Sequence, residues 1–352
     1  MKQTFGMSKK GNLQEAIKGI TNPSALVLLT SSDKLEEHAR ELEAAFPGVP
    51  SIGAVGQSYG DRETNEEGVT VVALSDGIKA VANVVEELSI MPVKYIKRVE
   101  DDLKAVDAKE ENTVCFDFCT GHDSKVVTTF TSILEKKKIS LVGGTSNSAA
   151  VAMNGKIYED SCAYLMLKNE RGKAKVYKEN IYKPMLEHHM SATKTKPSEY
   201  KILEIDDKPA EQVYRERLHL TKEQVKTQTF KNPLGRCYGS EVYLISIKQV
   251  DGGALECYRQ VNNMDALTML EMDDYKQVVK DTVAKIKNDL GRVSAVLSVN
   301  CLFRYLLFQD EKYWDEYLEE MCSSFTHAGL VGVGEHYKNQ HVNQTMCCVA
   351  FE

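Results

Sequence analysis

Strand-length apolar stretches alternate with amphipathic ones along this chain, and the same order occurs three times. Ala25 to Leu29 is a continuous apolar run of strand length, the pattern of a central strand covered on both faces. Behind Asp33, a good N-cap residue, Leu35, Ala39, Leu42 and Phe46 follow at helical spacing, and Pro47-Gly48 ends that helix. A glycine-bearing strand, P-S-I-G-A-V-G, and the run Val69 to Leu74 complete the first copy. The second copy is Thr113 to Phe118, a helix from Ser124 to Lys137, the strand I-S-L-V-G-G-T-S, and Ala163 to Leu167. The third is V-S-A-V-L-S-V-N-C-L-F-R, an amphipathic run from Glu311 to Phe325, A-G-L-V-G-V-G-E-H, and H-V-N-Q-T-M-C-C-V-A-F. The copies share element order, similar helix length and the glycine, but almost no identity. They predict three strand-helix-strand-strand units related by duplication.

Between the copies the signals are shorter. Ala80 to Val85 predicts a strand, Pro92 to Val106 a helix, and Asn154-Gly155 a tight hairpin turn. Lys173 to Tyr182 predicts one more strand. Ile202–Ile205, Glu241–Ile247, Ala254–Tyr258 and Leu267–Met272 read as strands, and Tyr275 to Leu290 as an amphipathic helix capped by Gly291. Pro184 to Tyr200 is polar, holds two prolines and His188-His189, and reads as a connector. The expectation is an α/β chain in two layered halves, with mixed, largely antiparallel sheets. One domain spans 1–183, a linker 184–200, and a second domain 201–352.

Composition narrows the classes of function. A chain of 352 residues suits two or three such units. The net charge is −7, and the densest basic run, Lys136 to Lys138, sits at a helix C-terminus where cations suit the dipole; nucleic acid is not an expected partner. No apolar run reaches the eighteen or so residues of a spanning helix, and M-K-Q-T-F-G-M-S-K-K lacks the apolar core of a signal peptide. A cytoplasmic protein away from the membrane is expected. The nine cysteines are scattered, with no C-x-x-C pair. They read as small buried hydrophobes in a reducing compartment, and neither a metal nor a cofactor is expected from their spacing.

Two polar clusters are candidate ligand sites. In the last unit, Asn300, Cys301 and Arg304 follow a strand end, Gly334, Glu335 and His336 follow the glycine strand, and Asn343 and Thr345 open the last strand. Arg304 suits a carboxylate, Glu335 an ammonium, and Asn343 and Thr345 neutral hydrogen bonds, a set that suits an amino acid. The same residues have an internal reading, in which Asn343 and Thr345 satisfy turn backbone and Arg304 pairs with Glu335. The second cluster is Cys119, Thr120, His122 and Asp123 at a helix N-terminus, faced by Thr145, Ser146 and Asn147 beyond Gly143-Gly144. It could receive an anion, or reduce to helix capping by Asp123 or Ser124. Cys119 with His122, or Cys301 with His341, gives a nucleophile-and-base alternative, although no nucleophile elbow, P-loop or dinucleotide fingerprint is present. His336 and His341 are the candidates for an axial haem ligand.

Several of these stretches occur together in one known family. D-D-K-P-A-E-Q-V-Y, P-L-G, S-V-N-C-L-F-R, G-E-H and H-V-N-Q-T resemble, in their order, the C-terminal FIST domain. A-L-V-L-L-T, P-S-I-G-A-V-G and V-T-V-V-A-L resemble the N-terminal FIST domain, and together the resemblance runs from about residue 24 to 352. It implies an intracellular sensory module that binds a small ligand such as an amino acid. It also implies a signalling partner, such as a histidine kinase or diguanylate cyclase. Some relatives join an F-box, and some are described as haem-binding nitric-oxide sensors. The chain departs from the pattern at G-A-V-G-Q-S, where relatives commonly show a G-C-S/T-T-A-G-E run. It also shows no output domain of its own.

Overall fold

The first strand of each repeat lies at the middle of a six-stranded sheet in a computed structural model, which describes residues 1–238 and 241–352. The lead strands are Ala25–Thr30, Thr113–Cys119 and Ala295–Cys301, and every residue in them is buried. Each is followed by helix (Leu35–Ala45; Asp123–Leu134; Leu302–Asp310 with Trp314–Ser324) and then by a parallel glycine strand (Ser51–Val55; Ser140–Thr145; His327–Gly332). A short hairpin comes next, and then a return strand antiparallel to the lead strand (Val69–Ser75; Cys162–Asn169; Thr345–Phe351). An outer strand (Lys2–Ser8; Ile78–Val85; Ala174–Asn180) completes each repeat. The mixture of parallel and antiparallel pairs is the expected α/β class, with 42% strand and 29% helix.

The hairpins exchange between repeats. Ala150–Met153 of the second repeat pairs with the first repeat's glycine strand, through Ala152↔Gly53. Glu335–Tyr337 of the third pairs with the second's, through His336↔Gly143, and Ser58–Gly60 of the first pairs with the third's. The exchange therefore closes in a ring, and each sheet is finished by a neighbour. Sequence periodicity marks the repeats but not this exchange, because pairing across repeats leaves no local pattern.

The described residues group into two units. One is Met1–Glu179, Val279–His341 and Thr345–Glu352, which holds the three repeats; the other is Asn180–Val278 with Val342–Gln344. This partition corrects the expected halves 1–183 and 201–352. The third repeat takes its outer strand from Ala174–Asn180 and its last sheet partner from Ser58–Gly60, so it packs with the first two. The expected linker 184–200 is corrected as well. Tyr182–Lys196 is a strand, paired on one side with Ala266–Met272 and on the other with Lys201–Ile205. Its polar residues lie on a solvated face, and the ladder is irregular between Pro184 and His189, where proline offers no N–H. The second unit is built on an eight-stranded sheet around Ile202, Tyr214, Leu255 and Met269. Among the described residues, no helix is long and apolar enough to cross a membrane.

Candidate functional site

The polar residues of the third repeat form an internal network. Arg304 lies on the helix Leu302–Asp310, which follows the strand end at Cys301, and is fully buried. Its guanidinium pairs with the equally buried Glu179, donates to Asn300 Oδ1 at 2.6 Å, and lies over the rings of Phe308 and Tyr317 at 4.6 and 5.0 Å. Asn300 Nδ2 donates to the hydroxyls of Tyr59 (2.8 Å) and Tyr317 (3.0 Å). Tyr59 continues to Ser298 Oγ at 2.8 Å, and Ser298 to His327 Nε2 at 2.7 Å. The carboxylate that Arg304 meets is thus the protein's own Glu179, not Glu335. Glu335 accepts from the N–H and hydroxyl of Thr345 at 3.1 and 2.8 Å, and burial pushes its carboxyl up to about 8. Cys301 is buried at the end of its strand. Asn343 is buried in the second unit, and its Oδ1 has no hydrogen-bond partner.

His327 is the acid-sensitive member of this network. Burial, with the Arg304 charge adding to it, pushes its pKa from 6.5 down to about 3. The folded state therefore binds fewer protons than the unfolded one between those values. The stabilisation is complete above pH 6.5 and is lost as the pH falls towards 3. By pH 5 this histidine should remove about 2 kcal/mol of stability. Urea midpoints at pH 7 and pH 5 should fall less in His327→Gln than in the wild type; equal slopes would contradict this account.

The second cluster is where the structure collects chemistry. Asp117 and Cys119 sit two apart on the lead strand Thr113–Cys119, and so share a face. The chain turns through Gly121 and the left-handed His122 (φ 55°), and the helix begins at Asp123. No side chain caps that helix. The Asp123 carboxylate instead accepts from Thr145 Oγ1, lies 3.2 Å from His336 Nε2, and lies 3.5 Å from His341 Nε2. His336 arrives on the third repeat's hairpin opposite Gly143, and its Nδ1 donates to Asp117 Oδ2 at 2.8 Å. Its Nε2 lies 4.0 Å from Cys119 Sγ, which is itself 3.6 Å from Thr145 Oγ1. The Cys162 thiol donates to the same Asp117 oxygen at 3.3 Å, while Asp117 Oδ1 has no partner.

Burial opposes charge on His336, but Asp117, the Cys119 sulfur and Asp123 hold its pKa well above the ordinary value. Asp123 shows the converse. Burial would raise it, yet His341, His336 and Thr145 hold it far below the usual carboxylate range. The Cys119 thiol is pushed up, chiefly by burial.

Gly143 allows this assembly. A Cβ there would stand 2.1 Å from the Asp117 carbonyl oxygen and 2.4 Å from Asp117 Oδ1. Gly334 borders the cluster from the bend just before the hairpin: a Cβ there would lie 2.9 Å from both Asp123 Oδ1 and Thr145 Oγ1, and 3.1 Å from His341 Nε2. The other residues of the expected cluster stand apart. His122 is half exposed, with Nε2 3.8 Å from Asp160 Oδ1. Ser146 Oγ accepts the Val55 N–H at 2.9 Å, and Asn147 gives its own N–H to the Val55 carbonyl at 2.8 Å, so both serve backbone.

The repeats supply an internal comparison. In register with the glycines Gly143, Gly53 and Gly329, Asp117, Cys119 and His336 correspond to Leu28, Thr30 and Ala152 around the first repeat, and to Ser298, Asn300 and Tyr59 around the third. The fold fills these three positions twice with neutral side chains, and the third set is tied through Asn300 to the Arg304–Glu179 pair. It does not need two carboxylates and an imidazole there.

The FIST N domain model matches residues 25–208, and the FIST C domain model matches residues 210–338. The chain belongs to the FIST family. No curated protein matches it in a sequence comparison. FIST domains are sensory domains. The boundary between the FIST N and FIST C segments falls inside the second compact unit, so neither segment is a compact unit by itself. Cys119 and Asp123 come from the FIST N segment and His336 from the FIST C segment, so the cluster exists only when both fold together.

The spacing of His336 and His341 carries no ligand signature, and the sequence marks them only as candidate axial haem ligands. Their meeting with Cys119 depends on the hairpin exchange.

Proposed function

We propose that this FIST chain is a sensory module whose input site is the cluster of Cys119, Asp123, His336 and His341. It takes a small polar or charged species there and reports to a separate signalling protein, of the histidine kinase or diguanylate cyclase kind, in the cytoplasm. The observation that carries this reading is that two carboxylates, two imidazoles and a thiol converge at one of three equivalent junctions, where the fold elsewhere places Leu28, Thr30 and Ala152, or Ser298, Asn300 and Tyr59. Entry is along the edge where the Asp123 and His341 side chains are 15% and 10% exposed. The cluster ties the second repeat's lead strand to the third repeat's hairpin. A species bound there favours one hairpin position, and a partner reads the resulting population shift.

Two other readings have less support. A cysteine nucleophile is exposed and has a lowered pKa, whereas Cys119 is fully buried with its thiol pushed up. A haem needs a flat slot beside its axial ligand, and the space at Gly334 would not take even a methyl group without close contact. A larger hollow of about 940 Å³ shares no residue with the cluster, and its charges pair with one another, as in Lys138 with Glu110 and Lys175 with Asp289.

A thermal-shift screen of small polar metabolites, anions and metal ions tests the proposal. One class should raise the melting temperature by several degrees, through mass-action stabilisation of the folded state. The shift should vanish in His341→Ala. A screen in which no shift depends on His341 sinks the reading.

A further inference from the structure

We infer that the species bound at this input site is a divalent transition-metal ion of the zinc class. Cys119 Sγ, an Asp123 carboxylate oxygen, His336 Nε2 and His341 Nε2 would hold it, and the inference rests on the site reading above. Among the described residues, Cys119, Asp123 and His336 are the one group of three whose possible ligand atoms all lie within 4.8 Å of one another. In a tetrahedral zinc site with bonds of about 2.0–2.3 Å, ligand atoms stand about 3.3–3.7 Å apart. Here the separations are 3.2 Å (Asp123 to His336) and 4.0 Å (Cys119 to His336), while His341 Nε2, 3.5 Å from the Asp123 carboxylate, stands outside that group of three and would swing in as the fourth ligand. A thiolate with two imidazoles and one carboxylate is a donor set that borderline metals favour over Mg²⁺ or Ca²⁺.

The surroundings also match those of a metal centre. Asp117 takes the Nδ1–H of His336, which fixes the tautomer that offers Nε2 to an ion. Cys162 in turn holds Asp117, and Thr145 holds Asp123. Gly334 lets the backbone pass close to the ligand atoms, since a Cβ there would lie 2.9 Å from Asp123 Oδ1 and 3.1 Å from His341 Nε2. Charge balances too. A dication with one thiolate and one carboxylate is neutral, and the Cys119 thiol proton leaves to solvent as the ion binds. The metal would join the second repeat's strand to the third repeat's hairpin, the junction through which the input acts.

The test is a titration of the full chain, treated with chelator, first with Co²⁺ and then with Zn²⁺. One Co²⁺ per chain should bind with a thiolate-to-cobalt charge-transfer band, and Zn²⁺ should displace it stoichiometrically. Cys119→Ser should lose the band, and His341→Ala should weaken binding; neither removes the buried Asp117–His336 pair, so both should fold. Asp117→Asn, a positioning change, should keep the band while weakening binding about 10- to 100-fold. No uptake at one per chain, or a band unaltered in Cys119→Ser, overturns the ion. If Co²⁺ is silent while another class in the thermal screen acts through His341, the ion falls and the input site stands. If Co²⁺ binds as described but leaves hydrogen exchange in the hairpin around His336 unchanged, the ion stands and the sensory role falls.

Discussion

Arg304→Ala is expected to cost about 3–5 kcal/mol of folding stability, the range for removing one partner of a buried ion pair. The loss comes less from the missing attraction than from what stays behind. Glu179 would remain fully buried with its Oε1 facing no cation, and its Oε2 already has no hydrogen-bond partner. Asn300 Oδ1 would lose its 2.6 Å donor, and the faces of Phe308 and Tyr317 would border a cavity. A domain is stable by roughly 5–15 kcal/mol in all, so the single variant should melt far below the wild type. The double variant Arg304→Met with Glu179→Leu should recover most of the deficit, because it removes both charges and fills a similar volume. Arg304→Lys should fall between, keeping the charge but not the fork that reaches Glu179 and Asn300 together. Urea denaturation of the four proteins measures this. A cost below about 1 kcal/mol for Arg304→Ala would mean that Glu179 reaches water, contrary to its burial.

Gly143→Ala is expected to be nearly as damaging, at about 3 kcal/mol or more, the upper end of overpacking effects. The added methyl would meet backbone, 2.1 Å from the Asp117 carbonyl oxygen, and backbone held in a buried parallel pair does not swing aside as a flexible side chain would. Relief requires the lead and glycine strands of the second repeat to part. That parting moves Asp117 away from His336 and loosens the hairpin that His336 anchors. The folded fraction should therefore also bind Co²⁺ more weakly. Gly19→Ala is the control: nothing stands within 4 Å of the added carbon, so stability should change by less than about 0.5 kcal/mol. If the two alanine variants unfold at the same urea concentration, the close approach at Gly143 is not a constraint.

The sequence by itself determined the repeats. Ala25–Thr30, Thr113–Cys119 and Ala295–Cys301 are legible as strands because mostly apolar stretches too short for a helix have to be covered on both faces, even where Asp117, Ser298 and Asn300 interrupt them. The glycine after each helix, and the family, were legible for the same reason: short-range pattern records local geometry. The helix Leu302–Asp310 was not, because it continues an apolar strand without a break in composition. The strand Tyr182–Lys196 was not, because one solvated face made it resemble a polar connector. Only the tertiary structure decided that Arg304 answers Glu179, and that Cys119 and Asp123 meet histidines more than 200 residues away. Those meetings depend on a hairpin from one repeat crossing to the sheet of another. Pairing of that kind is set by backbone hydrogen bonds and by the room at Gly143, neither of which imposes a period on the residues themselves.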